Sequence, residues 1–424
     1  MELTQLINPN TSPTTDQDWM LLSAEIGNYF TPSGPIDEEK LFQGRLGQVI
    51  SLLETALERS MHAILWGERG VGKTSLANVF WKRYHKSLET IIAVRVQALP
   101  SDDFPSLWKK ALEELKFAAN RMGKSDLIPI DTSFDELHPD QVRRELSKIR
   151  PNAIPIIILD EFDKLRDREA KELTANLIKA LSDYAVNCTL ILVGVAEDIE
   201  EMISDHASIN RCLREVKLDR MVDDELREII ESRCKLLPMT IDNDAMWKII
   251  KLSRGLPYYV HSIGKYAFKQ TIRDKRLKVV EGDVDVALDK VIEDRSHSFF
   301  NDYLKATTSN QTDAIFEHVL LACAIAETDE AGFFTQKNVI APLTKILGKE
   351  SDVNFSTFQR HLTEWLKPER GSILMRRGEA RQYRFRFTDP MMQPYIVIKG
   401  IRDQKVPDAI KSILSHPEQH TLPI

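Results

Sequence analysis

Eight residues constrain this chain more than any other feature. Gly67-Glu68-Arg69-Gly70-Val71-Gly72-Lys73-Thr74 fits the pattern G-x-x-x-x-G-K-[ST]. Glycines at those positions let the backbone bend so that successive N–H groups face a phosphate. The apolar run Ala63–Trp66 before it reads as a strand, and Thr74–Tyr84 after it reads as a helix. A glycine loop between a strand and a helix is a phosphate site, because the helix N-terminus adds its positive dipole end. Lys73 is then within reach of β- and γ-phosphates, and the Thr74 hydroxyl can ligate Mg²⁺. Ser75 closes the set of candidate nucleotide contacts that begins at Gly67.

Three further apolar runs, Ile91–Val96, Ile154–Leu159 and Thr189–Val195, show no polar alternation, and helical text such as Phe104–Leu115 lies between them. Strands of that kind separated by helices predict a parallel sheet covered on both faces, an α/β core. Asp160-Glu161 follows the third run at once. A carboxylate at the end of a buried strand beside a phosphate loop suits Mg²⁺, which is the role expected of Asp160. Glu161 is then placed to orient or deprotonate an attacking water, so Glu161 and Lys73 are the candidate catalytic groups. Asp163 reads as structural.

The chain's 424 residues exceed what one hydrophobic core serves. The expected divisions are a Thr- and Pro-rich arm at 1–35, the core at 36–215, a helical lid at 216–300, a fourth region at 301–400 and a polar tail at 401–424. Lid helices are expected over Asp223–Leu236, Ala245–Ser253 and Tyr258–Ile272. The fourth region reads as helices over Asp313–Ala326, Thr335–Leu347 and Ser356–Leu366. Strands Ser372–Arg377 and Gln382–Phe387 follow, joined at Gly378-Glu379-Ala380. Three helices and a hairpin are the parts of a winged helix, and a short helix is expected near Asp408–Leu414 in the tail.

A net charge of −7 excludes a polycation built to coat nucleic acid but leaves a local basic face open. The hairpin carries Arg376, Arg377, Arg381, Arg384 and Arg386, which suit DNA phosphates or a solvated face, and the near-neutral charge of the region favours a protein-interaction or autoinhibitory role over DNA contact. Cys188, Cys212, Cys234 and Cys323 form no C-x-x-C pair, so small thiols in a reducing cytoplasm are expected rather than zinc or disulfides. The first residues, MELTQLINPNTSP, lack the basic-then-apolar order of a secretory signal. No apolar run approaches about 18 residues, so no membrane partner is expected.

These residues resemble the AAA+ and STAND branch of P-loop ATPases, close to initiator-type, origin-recognition-like proteins. Leu159-Asp160-Glu161 matches the hydrophobic-Asp-Glu signature, and Leu41-Phe42-Gln43-Gly44-Arg45 is similar to the F-x-G-R motif that borders the adenine. Gly255-Leu256-Pro257 looks like the G-x-P motif whose proline packs near the base. Asn210-Arg211 stands where such proteins keep an arginine finger, with Arg214 competing for the role. The resemblance implies a P-loop NTPase with a three-layer αβα core, a helical lid and a C-terminal winged helix. It implies ATP and Mg²⁺ as cofactors, Phe42, Gly44, Arg45 and Pro257 at the nucleotide, and Arg211 offered to a neighbouring subunit. A homo-oligomer or a partner effector protein is implied, with DNA at the winged helix as the rival partner. Each weaker motif has a plain alternative: Phe42 as a core aromatic, Arg211 as a surface ion pair, Pro257 as a helix restart. There are two departures from the initiator pattern, and the second, with Pro257 nearby, favours the STAND side. The usual sensor position reads Gly194-Val195-Ala196-Glu197, and Tyr258 or Tyr259 stands where a sensor arginine would be. The expected function is an ATP-hydrolysing switch that couples nucleotide state to oligomerisation or recruitment. A DNA-binding loader or transposition-type ATPase is the alternative.

Overall fold

A computed structural model of the chain describes residues 11–82, 90–134, 137–195, 209–294, 297–308, 315–329, 331–348, 355–379 and 382–407. It divides into two compact units. The first comprises Pro35–Glu68 and Gly72–Leu218; the second comprises Met1–Gly34, Arg69–Val71 and Asp219–Ile424.

In the first unit, α2 (Leu46–Leu57) leads into β1 (His62–Gly67) and α3 (Lys73–Val79). Then come β2 (Ile91–Gln97), α4 (Phe104–Arg121), α5 (Pro139–Leu146), β3 (Ile154–Asp160), α6 (Arg168–Asp183), β4 (Thr189–Gly194) and β5 (Leu213–Leu218). The strands form one parallel sheet in the order β2-β3-β4-β1-β5. The central strands β3 and β4 are buried along almost their whole length, as strands covered on both faces must be. Helix α4 starts at an Asp103–Ser106 capping box with Pro105 in its first turn, and it buries Leu107, Trp108, Leu112 and Leu115.

Strand β5 is one element not expected from the sequence. Its text, LREVKL, holds three charged residues among three apolar ones, and as an edge strand it buries Leu213, Val216 and Leu218 while Glu215 is exposed. The sheet therefore runs three residues past position 215, to Leu218. On β1, His62 is fully buried and its Nδ1 accepts the Leu190 N–H at 3.1 Å. Burial pushes the His62 imidazole down to about 4, so it stays neutral.

In the second unit, α1 (Asp16–Tyr29) begins at a Thr15–Asp18 capping box and buries Leu22, Ile26 and Tyr29. The lead-in thus contains an amphipathic helix. The lid-type helices are α7 (Asp223–Leu236), α8 (Asn243–Ser253), α9 (Pro257–Arg273) and α10 (Glu281–Glu293), with the short strands β6 (Thr240–Ile241) and β7 (Lys278–Val279) paired between them. Helix α1 lies along α9, and Phe30 presses on Gly264 so closely that an added Cβ there would stand 2.5 Å from its ring.

The rest of the second unit holds α11 (His297–Thr307), α12 (Phe316–Ile325), β8 (Phe334–Thr335), α13 (Gln336–Leu347), α14 (Phe355–Glu364), β9 (Leu374–Arg377), β10 (Arg384–Phe387) and α15 (Met392–Arg402). Its three strands form a sheet in the order β8-β10-β9. Phe358, Leu362 and Trp365 are buried, and the Trp365 indole donates to the Ala306 carbonyl at 2.9 Å. Helix α15, near-continuously apolar from Tyr395 to Ile398, went unread because the polar residues after it drew the text toward a tail. The helix expected near Asp408–Leu414 lies outside the described residues.

Candidate nucleotide site

The site begins where β1 stops. Gly67 pairs with Leu218 across the β1–β5 ladder, and a Cβ on Gly67 would stand 2.2 Å from the Leu218 carbonyl oxygen. Only glycine lets the strand turn there. Gly72 caps α3 in the left-handed region, φ +98, from which the helix starts at Lys73. The Lys73 ammonium folds back over its own loop and donates to the Gly67 and Glu68 carbonyls, both at 2.9 Å. Both acceptors are backbone carbonyls of the loop itself, so the ammonium sits over the loop's inner side. Ser75 is turned to a different use: its Oγ accepts the Ile36 N–H at 3.0 Å and ties the 35–37 segment to α3.

Across from α3, β3 ends at Asp160, which is 3% exposed. Thr74 Oγ1 lies 3.4 Å from Asp160 Oδ1, and that oxygen also accepts the Glu161 N–H at 3.0 Å. A hydroxyl and a carboxylate side by side are the hard oxygen donors that Mg²⁺ takes, with phosphate and water completing its shell. Among the described residues no cluster of three or more His, Cys, Asp or Glu can cage a metal.

Two residues that sequence reading passed over complete this site. On β2, Arg95 Nη1 donates to Asp160 Oδ2 at 2.9 Å, and Gln97 Nε2 donates to Glu161. Glu161 also pairs with Lys164 at 2.5 Å, from a left-handed backbone at φ +55 that turns its side chain away from the line of β3. The signal was present: in IIAVRVQ the polar positions 95 and 97 fall on one face of the strand, two residues apart, with Val94 and Val96 inside.

The remaining expectations fall in several places. Phe42 is buried in the first unit, and Gly44 and Arg45, at φ +71 and +59, form the turn that starts α2. Arg211 stands just before β5 and pairs with Asp183. Because β5 runs parallel to β1, its first residue is about 17–20 Å from the loop end of the sheet. Arg211 is thus remote from the nucleotide site of its own chain. Arg214 is committed to α2, pairing with Glu54 at 3.1 Å and Glu58 at 2.9 Å.

In the second unit, Pro257 is the first residue of α9, after a turn at Gly255 (φ +79) whose carbonyl accepts the Met221 N–H at 2.9 Å. The loop tip Arg69–Val71 also belongs to that unit, where Arg69 pairs with Asp389 at 3.0 Å. Of the sensor candidates, Gly194 ends β4 and Glu197 lies outside the described residues. Ala380 and Arg381 of the hairpin lie outside them as well. The remaining hairpin arginines are engaged locally. Arg377, Arg384 and Arg386 surround the Phe333 ring at 5.6, 5.6 and 4.8 Å, Arg384 pairs with Asp329 at 3.1 Å, and Arg376 lies 4.1 Å over Tyr383.

No helix among the described residues is long and apolar enough to cross a membrane. Residues 57–203 match the family described as an AAA domain. The comparison of the sequence with curated proteins returned no match. Among solved structures, the chain is similar to the ORC2 protein of Aeropyrum pernix, in its ADPNP–ADP complexes, with a TM-score of 0.52 at 14% identity over 91% of this chain and 97% of that one. It is also similar to a Walker-type ATPase of Pyrococcus abyssi, with a TM-score of 0.50 at 16% identity over 87% and 99%. The chain has the fold of a P-loop NTPase, within which residues 57–203 match the AAA domain family.

Proposed function

We propose that this protein binds ATP with Mg²⁺ and hydrolyses it, as an AAA+ or STAND-type switch whose nucleotide state governs assembly or the recruitment of a partner protein. One observation carries the reading: within a single unit, Lys73 and Thr74 open a helix that faces Asp160-Glu161 at the end of β3, with Thr74 Oγ1 3.4 Å from Asp160 Oδ1. In this reading the loop N–H groups and Lys73 hold the phosphates. Thr74 and Asp160 hold Mg²⁺, which when bound neutralises charge on the phosphates. Glu161 takes a proton from water once it is released from Gln97 and Lys164. Phe42, Gly44 and Arg45 are assigned to the base side, and Arg211 to the nucleotide of a neighbouring copy.

We further assign α12–α14 and the β8-β10-β9 sheet to a winged helix. The engagement of its hairpin arginines with Phe333, Tyr383 and Asp329 supports a protein-directed role over a DNA-directed one. The test is steady-state ATP hydrolysis by the purified protein and by Glu161→Gln, with and without double-stranded DNA. The expected result is turnover that is indifferent to DNA and falls about 10²–10⁴-fold in the variant, with ATP binding retained. Equal rates for the two proteins reject hydrolysis through Glu161, and a DNA-raised rate moves the assignment to a loader.

A further inference from the structure

We infer that Arg95 is a built-in counter-ion for Asp160, one that covers the carboxylate when no divalent cation is present and must withdraw from it when one binds. The inference rests on the nucleotide site proposed above and concerns the regulation of that site by Mg²⁺.

Asp160 is almost fully buried, and burying a carboxylate without a partner is costly. Its two oxygens divide their partners. Oδ1 accepts from Glu161 N and Thr74 Oγ1, while Oδ2 accepts from Arg95 Nη1 at 2.9 Å. The buried carboxylate is therefore neutralised by a cation belonging to the protein. Register explains why that cation is an arginine. Arg95 pairs with Ile158, so Asp160 lies two residues further along the neighbouring strand, about 6–7 Å on. A long side chain ending in a broad fork of donors spans that offset.

The guanidinium also has somewhere to go. Its side chain is 38% exposed and lines a cavity of about 420 Å³ with Pro35, Asn78, Trp81, Lys82 and Asp37. Asp37, now paired with Lys82 at 2.5 Å, is a carboxylate in that cavity able to share its second oxygen. A cation already seated on Asp160 competes with Mg²⁺, because two positive charges on one buried oxygen pair repel. The same cation favours nucleotide in the absence of metal, because it keeps the carboxylate's charge from facing the phosphates.

The test compares wild type with Arg95→Ala and Arg95→Lys by measuring the dissociation constant of ADP calorimetrically, across a Mg²⁺ titration and in EDTA. This readout involves no turnover. The expected result for Arg95→Ala is a half-saturating Mg²⁺ concentration about tenfold lower, the worth of one charge-assisted hydrogen bond, together with weaker ADP binding in EDTA. Arg95→Lys should fall between the two. If Arg95→Ala does not fold, wild type and Trp81→Phe decide the matter. Movement of the guanidinium against Trp81 predicts a change in tryptophan emission on adding Mg²⁺ to the ADP complex, and the Trp81→Phe protein should lose it. An Mg²⁺ dependence unchanged by Arg95 substitution, or shifted to higher concentration, overturns the inference. So does an emission change that survives in Trp81→Phe. Wild type that binds no nucleotide at all would instead defeat the proposed function.

Discussion

Arg95 on β2 and Arg384 on β10 invite comparison. Both stand on short strands, both are partly exposed (38% and 56% of the side chain), and both make one ion pair near 3 Å. Their partners differ. Arg95 pairs with a carboxylate that is 4% exposed, whereas Asp329, the partner of Arg384, is 39% exposed. Removing Arg95 strands a buried charge, while removing Arg384 returns Asp329 to water. The hairpin is the richer in arginine, yet its described guanidiniums lie over the rings of Phe333, just before β8, and Tyr383. Strand β2 contributes a single arginine, and that one reaches the acid opposite the phosphate loop. A count of cations along the chain therefore ranks the two regions in the wrong order, because what matters is the acceptor each cation reaches.

The comparison can be broken most forcefully at Lys73, the other cation of the candidate site. Lys73→Ala should weaken ATP binding by about a hundredfold or more, the loss of two or so charge-assisted hydrogen bonds, as read by calorimetry. Binding that survives would move the phosphate contacts elsewhere.

A second prediction concerns a base that does not become a cation. His62 has a folded value of about 4 against an ordinary value of 6.5, because burial disfavours its charged form. Between those values the unfolded chain binds the extra proton. The contribution of His62 is therefore fully present above pH 6.5 and is lost as pH falls toward 4, amounting to about 3 kcal/mol. In His62→Asn, the amide oxygen takes over acceptance of the Leu190 N–H. Urea unfolding of the variant between pH 7 and pH 4 should show a shallower decline than wild type, and equal declines would assign the acid sensitivity to other groups.

The smallest effect is expected in the hairpin. Phe333→Leu keeps an apolar side chain but removes the ring under three guanidiniums, and it should cost about 1–2 kcal/mol in urea unfolding. If it also raises affinity for DNA at low salt, the ring was holding back a phosphate-binding face, and the contrast between the two regions narrows.

Legibility in the sequence followed how local each signal was. The strand-loop-helix context of Gly67–Thr74 and the acidic end of β3 are short-range patterns, and β1, α3, β3 and Asp160-Glu161 stand where those patterns put them. Helix α3 ends at Val79 among the described residues, short of the expected Tyr84. Strand β5 escaped because Arg214, Glu215 and Lys217 leave it no continuous apolar run. Helix α1 was hidden in a text rich in Thr, Pro and Asn, although its Thr15–Asp18 capping box was present. Gly255-Leu256-Pro257 reads as one motif, while its geometry is a turn and a helix start.

The sequence by itself determined the parts whose physics is contained in a few consecutive residues. These are the glycine loop between β1 and α3, the buried parallel strands β1 to β4 and the helices α7 to α9. The tertiary structure alone decided which charges meet. Arg95 and Asp160 are 65 positions apart, and their encounter depends on the register of β2 against β3, in which Arg95 stands beside Ile158. Register arises from the packing of whole strands under α4 and α6, and a one-residue slip would turn Arg95 to the opposite face of the sheet. No local pattern encodes that alignment, because the energy that selects it is spread over the entire core.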